Sequence, residues 1–332
     1  MKLYLENGYT DIGAYLDTGM PFIYCWGPRG TGKTFTGIKE IVERGLRFFY
    51  VRRTETQLKT VGSSELSPFK KINAALGWNI EQRRIAEGVI GFYMEDDLIG
   101  YGAALSTFAK IRGFDGSDVK IILYDEFIPE KHEAKRDLGR AFLNLYESIA
   151  RNRELEGEDP LIALCLANSE DIGNDLFMET GLIDIAQKMQ MKRIPYLILR
   201  ERHILMVNVI DSPISEKKQK TVLYEMLKGH SDFDKMALEN EFVDESIAVL
   251  KSRNLKEYKP MVGIGSLCIW KHKSDNKYYC TEHFSGSPER FTTAAADREK
   301  FQRKYYYLWN AYLDRRIEFE SKFCSLLFER MW

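Results

Sequence analysis

Short apolar, β-rich runs alternate with helical patterns through about residue 205 of this 332-residue chain, as a mostly parallel sheet with crossover helices requires. Strands are predicted at Phe22–Trp26, Arg47–Arg52, Val119–Tyr124, Leu161–Ala167 and Ile204–Val209. Between Arg83 and Leu105 the pattern changes to short alternating strands punctuated by Gly88, Gly91, Gly100 and Gly102, which predicts a β insertion or an antiparallel sheet edge. Pro213 breaks the chain just after the last strand, and residues from about Ser212 to Val243 are polar, charged and helix-prone, reading as a connector. A second unit follows. Met261–Lys271 and Lys277–Thr281 make a hairpin about Ser274-Asp275-Asn276, and Thr293 to Trp332 read as a long amphipathic helix or a pair of helices. The expected division is 1–206, 207–243 and 244–332, with no internal repeat.

The run Gly27-Pro28-Arg29-Gly30-Thr31-Gly32-Lys33-Thr34 lies directly after the first predicted strand and fits G-x-x-x-x-G-K-[ST]. Glycines let the backbone turn tightly and present successive N–H groups, which with the following helix N-terminus form a nest for polyphosphate oxygens. In that chemistry Lys33 reaches the β- and γ-phosphates of ATP and Thr34 holds Mg²⁺.

Binding alone is not hydrolysis, which also needs a carboxylate for Mg²⁺ and a group that positions water. Ile121-Ile122-Leu123-Tyr124-Asp125-Glu126 supplies both about 90 residues downstream. Four apolar residues give a buried strand, Asp125 at its end can reach the Mg²⁺ shell, and Glu126 can orient or deprotonate the attacking water. Arg151-Asn152-Arg153 follows a helical pattern from Leu138 to Ala150, so a guanidinium is expected at a helix end near the surface. Its ordinary role there is a surface salt bridge; the alternative is a finger reaching the γ-phosphate of a neighbouring subunit. Asn168-Ser169 close the next apolar strand, where a polar residue can sense the γ-phosphate or simply cap the following helix.

Composition narrows the classes. A net charge of -1 gives no global basic field, so any grip on a polyanion must be local; the densest basic stretch, Lys192 to Lys220, reads as solvated surface. No apolar stretch approaches a membrane span and Met1–Glu6 lacks a signal-peptide core, so the expected place is a reducing cytoplasm, with no membrane partner. Five cysteines without a C-x-x-C pair read as small buried hydrophobes. Cys268, His272, Cys280 and His283 resemble zinc-ligand spacing, but Cys268 sits in the middle of an apolar strand, so a buried thiol and solvated histidines are expected.

With phosphate loop, acidic pair, arginine pair and strand-end asparagine in this order, the sequence resembles the genome-packaging ATPases of small tailed bacteriophages, compact relatives of the large terminase subunit. The resemblance rests on Gly27–Thr34, Phe48-Phe49-Tyr50-Val51-Arg52-Arg53, Ile122–Phe127, Arg151-Asn152-Arg153-Glu154 and Cys165–Ser169, with Arg29 and Ile111-Arg112-Gly113-Phe114 also terminase-like. Past about residue 210 it is one of length and layout only. It implies an α/β P-loop NTPase motor domain, a short helical linker and a smaller α+β, ribonuclease H-like domain. It implies ATP hydrolysis, with Lys33 and Thr34 as nucleotide and Mg²⁺ contacts, Asp125 on Mg²⁺, Glu126 catalytic and Arg151 the trans-acting finger, Arg153 being the fallback. It implies double-stranded DNA as partner, a ring, usually a homopentamer, on the capsid portal vertex in the host cytoplasm, and in close relatives a structured packaging RNA.

The larger terminases carry a metal-binding aspartate on the first nuclease strand, whereas Val262-Gly263-Ile264-Gly265-Ser266-Leu267 has no acid. Two-metal cleavage needs clustered carboxylates, so a vestigial, non-cutting docking domain is expected. DNA contacts are expected from basic residues flanking the motor motifs: Arg53, Lys59, Lys110 and Arg112. Two other classes stay open. A helicase- or recombinase-like ATPase on single strands would use stacking platforms such as Tyr101 and Phe108, and in a nucleotide switch Glu126 and the arginine pair would be incidental. Tyr9 and Tyr15 are candidates for stacking on the adenine.

Overall fold

A computed structural model describes residues 1–63, 66–108, 114–129, 137–168, 172–218, 220–227, 248–286 and 288–332. These separate into two compact units, Met1–Thr180 with Lys188–Val243, and Gly181–Gln187 with Asp244–Trp332.

Among the described residues the first unit carries a nine-stranded sheet. Its strands are β1 (Phe22–Trp26), β2 (Phe48–Arg52), β3 (Ile80–Ala86), β4 (Val89–Met94), β5 (Asp97–Ala104), β6 (Ile121–Asp125), β7 (Ile162–Ala167), β8 (Tyr196–Leu199) and β9 (Ile204–Asn208). The spatial order is β3-β4-β5-β2-β6-β7-β1-β9-β8. The strands from β5 to β9 in that order are parallel neighbours, whereas β3, β4 and β5 form an antiparallel meander at one edge and β8 pairs antiparallel with β9 at the other. The central strands read as near-continuous apolar runs because both faces are covered. On one face Ile23, Cys25, Leu123, Leu164 and Leu166 share a core with Ile38 and Ile41 of helix Lys33–Glu43. On the other, Tyr24 and Trp26 pack edge-on against Phe177, which also meets Phe127.

The five predicted strands are present with ends shifted by no more than two residues, and the glycine-punctuated stretch is the meander. β8 was not foreseen: its four residues are all half-buried, so an edge strand inside a basic stretch carries no strong alternation. Pro213 does not break the chain but opens helix Pro213–Lys218, where its fixed φ suits a first turn.

The second unit has a six-stranded sheet in the order β10-β15-β13-β12-β11-β14. Here β10 is Val249–Leu250, β11 Tyr258–Ile264, β12 Leu267–His272, β13 Tyr278–Thr281, β14 Glu289–Phe291 and β15 Ile317–Phe319. Three consecutive antiparallel strands, β11 to β13, form its centre and parallel partners its edges. Met261–Lys271 is therefore not one strand: the chain reverses at Gly265-Ser266, with Gly265 at φ 54°. Helices Ala295–Leu313 and Lys322–Glu329 are the expected C-terminal pair, but β15 is threaded between them, too short at three residues to register as a period.

Candidate active site

The loop after β1 is shaped by three glycines with positive φ, Gly27 at 146°, Gly30 at 76° and Gly32 at 81°. Gly32 is the N-cap of helix Lys33–Glu43 and offers no side chain to its first-turn amides, which stay available for an anion. A side chain at this position would also collide with Tyr9, whose Cγ and Cβ crowd the place where a Cβ would sit. Lys33 is buried, its ammonium donating to the Gly27 and Pro28 carbonyls at 3.1 and 2.7 Å and to Thr31 Oγ1 at 3.1 Å.

β7 lies between β1 and β6, so the loop and the acidic strand end at the same rim of the sheet. Thr34 Oγ1 donates to Asp125 Oδ1 at 2.9 Å, joining residues 91 apart in sequence. Asp125 is 3% exposed, and Tyr50 donates its hydroxyl to the other carboxylate oxygen at 2.7 Å. Burial, and after it the Asp125 charge, push the Tyr50 hydroxyl far above its ordinary pKa, so it remains a donor. The Thr34 hydroxyl proton is committed to Asp125, which leaves its lone pairs and the carboxylate oxygens as a hard-oxygen set suited to Mg²⁺. Among the described residues no group of three or more His, Cys, Asp or Glu side chains gathers.

Glu126 follows the strand at φ 60°, a left-handed conformation that costs a non-glycine residue about 1–2 kcal/mol. It turns the side chain off the sheet toward Arg52, whose Nη1 stands 3.0 Å from Glu126 Oε2 while Nη2 is 3.5 Å from Asp125 Oδ2. The Arg52 guanidinium also lies over the Tyr50 ring, 5.9 Å from its centroid. Burial opposes the Arg52 charge, but Asp125, Tyr50 and Glu126 outweigh it and hold its pKa above the ordinary value. Arg52 and Tyr50 belong to a segment singled out in the sequence without a role. The parallel register Val51↔Tyr124 sets Arg52 level with Asp125.

Residues 15–302 match the family described as Podovirus DNA encapsidation protein (Gp16). The chain belongs to this family. The DNA packaging protein of Bacillus phage B103 is 25% identical over 319 residues, 89% of this chain and 91% of the relative. The DNA packaging proteins of Bacillus phages PZA and phi29 are 24% identical over 234 residues, 69% of this chain and 64% of each relative. The same fold recurs in the solved bacteriophage Phi-29 viral genome packaging motor assembly, with a TM-score of 0.66 and 17% identity over all of both chains. It recurs in the Phi-28 gp11 DNA packaging motor, with a TM-score of 0.67 and 17% identity over 98% of this chain and 97% of that one.

Other expected residues fall in varied settings. Asn168 follows β7, one position past Ala167, the partner of Trp26, and so lies beside the loop; Ser169 is outside the described residues. Arg151 ends helix Leu138–Ala150 with a half-exposed side chain, donating to the Phe114 carbonyl at 3.1 Å and 3.6 Å from Asp115. Arg153 cannot be the reaching residue in this arrangement. It is 6% exposed, and its guanidinium donates to the carbonyls of Val119 at 2.8 Å, Ala150 at 3.3 Å and Ile149 at 3.4 Å, closing the helix end.

Of the DNA candidates, Lys59 is exposed in the last turn of helix Glu55–Val61, whereas Arg53 is 3% exposed, which removes it from the surface. Lys110 and Arg112 lie outside the described residues. Tyr15 is fully buried with its hydroxyl on the Leu3 carbonyl and cannot stack on a base, while Tyr9 lies against Gly32 and Phe35 at the loop. Tyr101 and Phe108 are packed on Phe114 and Phe49. Cys268 pairs with Thr281 and Ile269 with Cys280, so the two buried thiols face opposite sides of the second sheet and cannot share one ion. His283 is solvated, but His272 is not: it packs edge-on under Tyr258 and accepts from the Asp275 amide at 3.0 Å.

Proposed function

We propose that this chain is the ATP-driven motor that moves double-stranded phage DNA into a preformed capsid. The observation that carries the reading is the Thr34–Asp125 hydrogen bond with Glu126 held beside it by Arg52, in a member of an encapsidation family. The loop amides and Lys33 bind the triphosphate of ATP, and Thr34 with Asp125 holds Mg²⁺. Mg²⁺ held by these residues would supply positive charge to the triphosphate. Glu126 accepts a hydrogen bond from the attacking water and aligns it with the γ-phosphate. Arg52 holds the two carboxylates in place, its guanidinium 3.0 Å from Glu126 and 3.5 Å from Asp125. Asn168, beside the loop, senses the γ-phosphate and passes its loss to the subunit.

Arg151 acts in a ring, a homopentamer on the portal vertex in the host cytoplasm, by entering the neighbouring subunit's site and countering charge on the γ-phosphate. Its exposure at a helix end supports this, since among the described residues the Phe114 carbonyl and an exposed carboxylate hold it. Lys59 contacts DNA phosphates, with Lys110 and Arg112 in the same role.

The second unit is a non-cutting, nuclease-like docking domain for nucleic acid, including a structured packaging RNA, or for the portal. Neither β11 nor β12 carries an acid, and Lys259 stands directly opposite Lys271 with both exposed. Like charges facing each other across a ladder are unfavourable until a polyanion lies over them. From Asp244 to Trp332 there are 16 Lys and Arg against 12 Asp and Glu.

The test is ATP hydrolysis by the full chain assembled on procapsids, measured with duplex DNA, single-stranded DNA or neither. Stimulation by duplex DNA alone is expected. Stimulation by single strands would favour a helicase-like ATPase, and no response to either a nucleotide switch.

A further inference from the structure

The segment that leaves the first sheet returns to the phosphate loop at two points and to the N-terminal segment at a third. Val209, just past β9, donates its amide to the Trp26 carbonyl at 2.8 Å, and its side chain and carbonyl lie 2.7 Å from where a Cβ on Gly27 would be. Behind it Ser212 Oγ donates to the Gly8 carbonyl at 3.1 Å, fixing the start of helix Pro213–Lys218. At the end of that helix the Lys218 ammonium donates to the Arg29 carbonyl and lies 2.5 Å from where a Cβ on Gly30 would be. Two lysines thus divide three successive loop carbonyls: Lys33 takes Gly27 and Pro28, and Lys218 takes Arg29.

A loop that turns its N–H groups toward an anion must turn carbonyls elsewhere, and a carbonyl fixed by a cation fixes its own peptide plane and so the direction of the next residue's N–H. The Arg29 carbonyl belongs to the peptide whose N–H is that of Gly30, within the nest. When Lys33 leaves its carbonyls for the phosphates, Lys218 still holds the loop backbone from outside the loop. Its ammonium is half-buried and sits against glycine, where no side chain shields it from the loop.

We propose that Lys218 is a positioning residue for the phosphate loop: it sets the Arg29–Gly30 peptide for triphosphate and thereby ties nucleotide affinity to the placement of the helix that begins the connector. The proposal rests on nucleotide binding at this loop. Its consequence is reciprocal, because whatever moves helix Pro213–Lys218 must change affinity for ATP, and ATP must resist that movement.

The experiment compares full-length wild type, Lys218→Met, Lys218→Arg, Lys217→Ala and Lys33→Ala, reading Kd for a fluorescent non-hydrolysable ATP analogue with Mg²⁺ and the steady-state KM and kcat for ATP. Lys218→Met keeps the aliphatic stem and removes the charge. It should raise Kd and KM about tenfold with kcat within about twofold, Lys218→Arg should recover most of the affinity, and the exposed neighbour variant Lys217→Ala should match wild type. Unchanged Kd in Lys218→Met, or a loss that Lys218→Arg does not recover while unfolding midpoints agree, overturns the proposal. Lys33→Ala separates the two levels of failure. If it binds as wild type does, the loop is not the nucleotide site; if it loses binding while Lys218→Met does not, only the role of Lys218 falls.

Discussion

Arg52 Nη1 stands 3.0 Å from Glu126 Oε2, joining the end of β2 to the residue that follows β6. The same guanidinium lies 3.5 Å from Asp125, so one cation serves two adjacent carboxylates with different tasks. Removing one partner of a fully buried pair costs about 3–5 kcal/mol. The cost here is smaller, because the Glu126 side chain is 36% exposed and Asp125 keeps its bonds from Thr34 and Tyr50. Arg52→Ala should destabilise the first unit by about 2 kcal/mol in urea unfolding and lower kcat at least tenfold. An unchanged kcat would show that the acids work without it.

Gly32 is constrained twice, by φ 81° and by the Tyr9 ring. Gly32→Ala should therefore abolish tight nucleotide binding, since the loop must shift to admit the methyl group. Tyr9→Ala added to Gly32→Ala relieves the collision but not the backbone strain, about 1–2 kcal/mol for an L-residue. Partial recovery of affinity in the double variant is expected; full recovery or none would refute one of the two causes.

Arg151 and Arg153 separate cleanly. Arg153→Ala strands carbonyls at the end of helix Leu138–Ala150 and should cost about 2–3 kcal/mol of stability, read as a lower urea midpoint. Arg151→Ala should leave that midpoint unchanged. Its effect should appear in mixtures with wild-type subunits, where ATP hydrolysis falls more steeply than the mutant fraction. A strictly linear decline would contradict a residue acting across an interface.

In the second unit Arg253 donates to both oxygens of Glu318 at 2.5 and 2.7 Å, and this holds the carboxyl below its usual pKa despite partial burial. A depressed folded-state pKa stabilises above the ordinary glutamate value, about 4.3, and that contribution is lost as pH falls through the folded value. Arg253→Ala should lower the thermal midpoint at pH 7, and the difference from wild type should shrink as pH falls from about 4.3 through the lower folded-state value. A difference that stays constant down to pH 3 would mean that the pair contributes nothing through ionisation.

Residues that carry chemistry by themselves were the most legible. Loop, acidic pair and strand ends announce themselves in sequence because glycine, an apolar run and a carboxylate at fixed spacing have few other uses together. The role of Arg52 is not legible in the sequence, because its partners lie more than 70 positions away and the β2–β6 register joins them. Lys218 sat in a stretch read as solvated connector, and its contact with Arg29 spans 189 positions. Arg53 flanks a motor motif and Arg153 stands just past a helix end, positions that suggest surface cations, yet both are buried. β8 and β15 escaped notice because strands of four and three residues are shorter than the periodicity that reveals them.

The central claim, that the loop binds ATP and Glu126 drives its hydrolysis, is tested most directly by Glu126→Gln, nearly the same shape without the charge. The measurement pairs equilibrium binding of Mg·ATP with phosphate release by the full chain. Binding within about threefold of wild type and release reduced at least about a hundredfold is the predicted result. Phosphate release that continues at the wild-type rate would contradict the account.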